Sequence, residues 1–191
     1  MLIYNIEPSP SQIKSKRETM DKIPSPIVIE SYHPEWPRRF NRESFLIRLM
    51  IGAYITVIEH IGSTAVPRLA AKPVIDMLIG VKNLADTPRF VSRLKKLGYF
   101  YVPEYEKDLP ERRYLYKQKH KEDTFHLHMV EPESEFFGRH IAFRDYLRSH
   151  PEAVTEYAEL KLRLAREFGS DRAEYTDAKS EFIKSVECKT K

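Results

Sequence analysis

The spacing of apolar residues predicts helices at both ends of a folded domain and strands between them. Trp36, Phe40, Ile47 and Met50 recur at helical intervals and would share one face of a helix over residues 34–51. Further helices with this period are predicted over residues 86–97, 135–148, 151–168 and from residue 171 onward. Alternating or short apolar runs predict strands over residues 54–60, 74–81, 99–105, 112–118 and 124–131. After the first helix, the strands lie in the earlier part of the domain and helices make up its end, which is typical of an α+β fold.

The first 26 residues differ from the rest of the chain. They contain four prolines and a mixed run of charges at residues 14–18, with no periodic apolar pattern. Such a composition is typical of a flexible segment. We therefore predict a flexible leader over residues 1–26 and one domain over residues 27–187.

Composition excludes several classes of protein. Cys188 is the one cysteine among 191 residues, which rules out disulfides within the chain and a cysteine cage around zinc. No apolar run approaches the roughly 18 residues that a membrane span needs. The N-terminus also lacks the residue order of a signal peptide. We therefore expect a cytoplasmic protein with no membrane partner.

The charge of the chain permits an anionic ligand without requiring one. The formal net charge is +4, and the sequence pI is about 9.0. The basic residues are scattered among 28 acidic ones without a long Lys/Arg block. This pattern favours a solvated surface over a nucleic-acid groove, so nucleic acid is not a predicted partner.

The most informative stretch runs from residue 57 to residue 78. A predicted strand leads into Gly62, Ser63 and Thr64, where a short helix is expected, and the next strand carries Asp76. Backbone N–H groups at a helix start and two hydroxyls would suit a phosphate, while the Asp76 carboxylate could face a divalent metal. The alternative is a tight structural turn in which Ser63 caps the helix.

Residues 59–67 (EHIGSTAVP) and 69–76 (LAAKPVID) together resemble the core motif of the GrpB family. Other segments resemble the family in the same order: residues 32–36, 112–114, 126–128, 140–148, 157–161 and 175–179. The resemblance covers roughly residues 27–187. It implies a nucleotidyltransferase-like fold of the polymerase-β type, with a mixed sheet flanked by helices and a helical C-terminal region.

The resemblance also implies a function. The expected activity is binding of a nucleotide or another phosphorylated small molecule with a divalent metal, and transfer of a nucleotidyl group to an acceptor. The alternative is a non-catalytic module that binds a nucleotide or a coenzyme A-related ligand, because some relatives are fused to dephospho-CoA kinase. Two positions depart from the expected patterns: Leu78 stands where nucleotidyltransferases carry a second acid, and Arg68 stands where GrpB proteins commonly have glycine.

Candidate catalytic and metal-binding residues lie on a later strand. His126 and His128 are two residues apart and would share one strand face, so they could bind a metal together with Asp76. They could equally contact phosphate as cations, act as acid and base, or lie on the wet face of an edge strand. His128 and Glu131 are the candidate catalytic partners of Asp76, with Glu131 as a replacement for the missing second acid.

Several other residues are candidate ligand contacts. Lys72 could offset phosphate charge, and His60 precedes the Gly62-Ser63 bend. Arg112 and Arg113 are neighbours on a predicted strand, so one of them can face the site while the other faces away. The family resemblance adds four residues of the C-terminal helices, with ordinary exposed helix positions as the alternative: Arg144, Lys161, Tyr175 and Lys179.

Overall fold

One mixed sheet of five strands forms the centre of the computed structural model, which describes residues 26–120 and 122–190. The strands are β1 (Ile55–Ile61), β2 (Ile75–Val81), β3 (Tyr99–Tyr101), β4 (Arg113–Lys119) and β5 (Glu122–Val130). Their order across the sheet is β1-β2-β5-β4-β3. The β2–β5 pair is parallel and the other pairs are antiparallel. Apart from its last residue, the leader predicted at residues 1–26 lies outside the described residues.

Helices precede, interrupt and follow the sheet. They are α1 (Glu35–Ile51), α2 (Thr87–Lys95), α3 (Glu135–Ser149), α4 (Pro151–Phe168), α5 (Arg172–Asp177) and α6 (Ser180–Lys189). The predicted α+β class, with a mixed sheet and a helical C-terminal region, is confirmed. No helix among the described residues is long and apolar enough to cross a membrane.

Two elements differ from their predicted bounds. The strand predicted over residues 99–105 ends at Tyr101, because Pro103 cannot donate to a strand ladder and begins the 3₁₀ turn Pro103–Lys107. The last helix is interrupted between α5 and α6. As a result Tyr175 packs with Ile27 and Leu164, whereas Phe182 of the same predicted stripe packs in a different cluster.

One face of the sheet carries the main hydrophobic core. Met77 of β2 and Leu127 of β5 pack there with Ile47 of α1 and Phe90 of α2. Successive strand residues point to opposite faces. The neighbours of Met77 on β2 therefore point to the other face, where Asp76 lies.

The other face is covered by helix α3 and the C-terminal helices. Leu78 is fully buried there against Phe136 of α3. Strand β5 lies between β2 and β4, so His126 and His128 occupy an interior strand and are 6% and 0% exposed. The alternative that placed both histidines on the wet face of an edge strand is therefore wrong, because the strand order encloses β5.

Candidate functional site

Gly62 and Asp76 are in contact where β1 ends and β2 begins. Gly62 has φ +69°, a left-handed value that favours glycine, and the single 3₁₀ turn Ser63–Ala65 follows it. Ile61 is paired with Asp76 in the β1–β2 ladder. The predicted short helix is thus only one turn, which is too short to supply a helix dipole for phosphate.

A hollow of about 600 Å³, including its mouth, opens beside this bend. It is lined by Gly62, Ser63, Thr64, Ala71, Lys72, Val74, Asp76, His126, Tyr157, Lys161, Tyr175, Thr176, Lys179 and Ile183. As predicted from the sequence, Gly62, Ser63 and the half-buried Asp76 border one solvent-reachable space. Most of its other polar side chains come from helices α4 and α5 and from the break between α5 and α6.

His126 lies between two carboxylates on the sheet side of the hollow. Its Nδ1 is 3.1 Å from Asp76 Oδ1, and its Nε2 is 3.4 Å from Asp123 Oδ2. Burial alone would lower the pKa of His126, but the hydrogen bonds to Asp123 and Asp76 outweigh it and raise the pKa to about 9. At neutral pH His126 is therefore a cation that donates from both nitrogens. Sequence reasoning missed Asp123, although an acid three residues before His126 was the available signal.

Lys161 reaches the Gly62-Ser63 bend from helix α4. Its Nζ donates to Ser63 Oγ at 2.9 Å and also to the Ala70 carbonyl oxygen. The side chain is only 3% exposed. Burial lowers the pKa of Lys161 well below its usual value, and the charge of Lys179 lowers it further. The helical lysine suggested by family resemblance thus lines the hollow.

Lys72 and Lys179 share one aromatic ring. Their Nζ atoms lie 4.9 Å and 4.3 Å from the centroid of the Tyr175 ring, within the range of cation–π attraction. Tyr175 is 1% exposed, so its ring is held firmly by the surrounding core. Lys72 therefore joins Tyr175 and Lys179, which lie about 100 residues later in the sequence, in one basic wall of the hollow.

His60 and Thr64 stabilise the bend from the inside. Thr64 Oγ1 donates to the Val74 carbonyl oxygen at 3.1 Å and lies 3.0 Å from His60 Nε2. Because the hydroxyl has one proton, which Val74 accepts, His60 Nε2 carries the ring proton and donates it to Thr64. Burial first, then Arg148 and Arg144, lower the pKa of His60 to about 3. The ring stacks on Phe40 at 4.7 Å, on the face opposite Asp76, so His60 does not line the hollow.

His128 and Arg112 lie deeper in the protein and do not line the hollow. His128 is fully buried and Arg112 is 1% exposed. Arg112 Nη1 donates to His128 Nδ1 at 3.4 Å, and both groups lie beside the rings of Tyr114 and Phe136. His128 is one strand period beyond His126, which moves it under helix α3 and away from Asp76.

Three other candidates have contacts outside the hollow. Arg113 Nε donates to Thr87 Oγ1 at 2.9 Å. Glu131 accepts from the Leu84 amide at 3.2 Å, beyond the end of β2 opposite to Asp76. Arg144 binds Glu59 Oε2 at 2.6 Å and the His60 carbonyl oxygen at 3.1 Å, which ties helix α3 to strand β1.

One known protein family matches nearly all of the described chain. Its sequence profile, described as GrpB protein, covers residues 26–189. The chain belongs to the GrpB family. The resemblance carried by residues 59–76 is thereby confirmed.

Relatives of this GrpB chain occur in several bacteria. UPF0157 protein YqkA of Bacillus subtilis (strain 168) is 40% identical over 161 residues, which are 84% of this chain and 46% of that protein, so the chain spans about half the length of that relative. Glutamate-rich protein GrpB of Alkalihalophilus pseudofirmus is 33% identical over 84% of this chain and 93% of its own. The crystal structure of conserved protein GrpB from Enterococcus faecalis superposes with a TM-score of 0.78 at 34% identity, over 85% of this chain and 96% of that one.

A further similarity covers a smaller part of this GrpB chain. Dephospho-CoA kinase of Mycolicibacterium paratuberculosis is 35% identical over 78 residues. These residues are 39% of this chain and 19% of that protein.

Proposed function

We propose that the hollow binds a phosphorylated small molecule of the nucleotide or coenzyme A class. The supporting observation is the convergence of Lys72 and Lys179 on the ring of Tyr175, in the hollow that the cationic His126 also lines. Phosphate groups carry concentrated negative charge that such a wall attracts. The partial similarity to dephospho-CoA kinase is the reason for including coenzyme A precursors among the ligands.

Asp76 does not oppose the binding of an anion in this arrangement. It is the single carboxylate among the described residues that line the hollow, and its Oδ1 lies 3.1 Å from the His126 ring. The positive charge of His126 offsets the carboxylate, while Lys72 and Lys179 add positive charge to the lining. The lining is therefore cationic at neutral pH.

The side chains in and near the hollow do not fit a metal held by the protein. Both ring nitrogens of His126 face carboxylates, and His128 is buried away from the hollow. Among the described residues, no group of three or more His, Cys, Asp or Glu side chains could hold a metal ion. We therefore assign no step to a divalent metal, and Mg²⁺ dependence becomes an outcome of the binding experiment.

Calorimetric titration of the full chain with ATP, GTP, CTP, UTP, coenzyme A and pyrophosphate tests the proposal, each with and without Mg²⁺. We expect binding that weakens as salt rises and that does not require Mg²⁺. Lys179→Met should weaken it about tenfold or more, since a charge-assisted hydrogen bond contributes about 1.5–3 kcal/mol.

Lys95→Met is the matched control, because Lys95 is exposed on α2 at the opposite face of the sheet. It should bind like the unaltered chain. Absence of binding to every ligand in a folded sample, or equal weakening in both variants, would reject the proposal.

A second candidate is transfer of a nucleotidyl group to an acceptor. It is favoured by the contact between the Gly62 bend and Asp76, the pair that carries the resemblance to polymerase-β-type enzymes. The test is release of pyrophosphate from nucleoside triphosphates with Mg²⁺ or Mn²⁺. Release that disappears in Asp76→Asn would support transfer, whereas ligand binding without release in the unaltered chain would favour a binding module.

A further inference from the structure

Ser63 and Lys161 form a buried amine–hydroxyl pair at the wall of the hollow. The two residues are 98 positions apart in sequence, yet Lys161 Nζ lies 2.9 Å from Ser63 Oγ. Ser63 is half-buried and lines the hollow, while Lys161 is 3% exposed behind it. A molecule in the hollow can therefore meet the hydroxyl, and the amine reaches that hydroxyl from the protein side.

The surroundings make the Lys161 amine easier to deprotonate than that of an exposed lysine. Burial lowers its pKa well below the usual value, and the neighbouring Lys179 lowers it further. Lys72 adds positive charge from the loop before β2, and the carboxylate of Asp76 is turned to His126. Once deprotonated, the amine can keep its hydrogen bond to the Ala70 carbonyl oxygen and accept a proton from the Ser63 hydroxyl, to which the ammonium form donates.

We propose that Ser63 is a nucleophile and Lys161 its general base, and that the pair transfers acyl groups from esters. Serine with lysine as base is one of the variants of the serine nucleophile found on unrelated folds. The pair needs no metal and no third residue to position an imidazole. This inference goes beyond the proposed function, because it does not depend on phosphate binding.

The reaction balances with water as the second substrate. Ser63 Oγ attacks the ester carbonyl carbon while its proton moves to Lys161 Nζ. The bond from that carbon to the alcohol oxygen breaks, and the leaving alkoxide takes the proton from Lys161. Water then attacks the acyl-Ser63 ester, with Lys161 again accepting and returning a proton, which releases a carboxylic acid and restores Ser63.

A fluorophosphonate tests the pair in the full chain, because serine displaces fluoride from phosphorus and leaves a stable adduct that mass spectrometry can locate. We expect one adduct per chain, on Ser63. Its rate should rise with pH and level off well below the pKa of about 10.4 of an ordinary lysine. Ser63→Ala should abolish the adduct, whereas Ser92→Ala, at an exposed serine of α2, should leave it unchanged.

Lys161→Arg keeps a cation but removes the base, because arginine stays protonated. We expect labelling to fall by about 100-fold or more, which is the range for loss of a general base. A folded, unaltered chain that forms no Ser63 adduct between about pH 6 and pH 10 would overturn the proposal, and this result needs no variant. Undiminished labelling in a folded Lys161→Arg variant would overturn it as well.

The two proposals fail separately. Both properties are therefore measured in the unaltered chain, because Ser63 also borders the hollow in which ligands would bind. Absence of labelling in a chain that binds phosphorylated ligands would reject only the proposal for the serine–lysine pair. Labelling of Ser63 in a chain that binds no phosphorylated ligand would reject only the proposal that the hollow binds such ligands.

Discussion

A Cβ atom at Gly62 would lie 2.4 Å from Asp76 Oδ2 and 3.0 Å from Asp76 Cγ. Real Cβ atoms do not approach other atoms so closely. Because glycine has no side chain, the backbone at the end of β1 can lie directly against the Asp76 carboxylate. Gly62 also has φ +69°, which is unfavourable for other residues. This contact holds Ser63 and Asp76 at the edge of the same hollow.

Gly62→Ala should therefore destabilise the protein by about 2 kcal/mol or more, through backbone strain and displacement of Asp76. Gly138→Ala is the control, because Gly138 lies in helix α3 and an added Cβ there meets nothing within 4 Å. That change should raise the free energy of unfolding by up to about 1 kcal/mol. Urea unfolding measures both, and effects of the same sign and size would contradict the close contact.

Arg68 has φ +68°, a left-handed conformation that favours glycine over other residues. We expect Arg68→Gly to relieve this strain and raise the free energy of unfolding by up to about 1 kcal/mol. Arg89→Gly, on the exposed surface of helix α2, should instead lower it by about 1 kcal/mol. Equal destabilisation by both changes in urea unfolding would show that Arg68 is not strained.

His126 should make stability depend on pH on the alkaline side. Its folded pKa of about 9 lies above the ordinary value of 6.5, so the folded state binds the extra proton between these values. The stabilisation is fully present below pH 6.5 and is lost as pH rises through about 9, by on the order of 3 kcal/mol.

The difference in urea-unfolding free energy between the unaltered chain and His126→Asn isolates this contribution. It should shrink as pH rises through about 9, and NMR should show the ring of His126 titrating there. Asp123→Asn should move that midpoint to lower pH, because one hydrogen-bonded carboxylate is lost. A midpoint near 6.5 in the unaltered chain would be incompatible with the paired imidazolium.

Leu78, where the resemblance to polymerase-β-type enzymes would place a second acid, is fully buried with Ile61, Val130 and Phe136. Leu78→Asp should destabilise the protein by about 3–5 kcal/mol, because it removes packing and buries a carboxylate. Leu78→Met should lower the free energy of unfolding by less than about 1.5 kcal/mol. Near-native stability of Leu78→Asp in thermal or urea unfolding would mean that this position reaches solvent.

Most elements of the fold follow from local patterns. Helix α1 and strand β2 have almost the predicted bounds, because periodic apolar residues identify the buried side of an element without knowledge of its neighbours. The break between α5 and α6 escaped prediction, since the apolar spacing from Tyr175 to Phe182 continues across it. Only packing shows that these two residues enter different clusters.

The candidate site was likewise predicted from the sequence only in part. The bend at Gly62 and the strand carrying Asp76 are close in sequence, and their joint position was predicted from it. Strand alternation and the family-like segments suggested His128, Glu131 and Arg113, but neither says how far along the sheet a residue lies. The structure places all three outside the hollow.

The amino-acid sequence by itself determined the helices and strands, the family and the glycine bend beside Asp76, because these depend on periodicity and short-range contacts. Tertiary structure alone decided that β5 is an interior strand, that Asp76 meets His126, and that Lys161 meets Ser63. Those pairings join residues distant in the chain. The order of the strands and the packing of the C-terminal helices bring them together, and no local pattern encodes that arrangement.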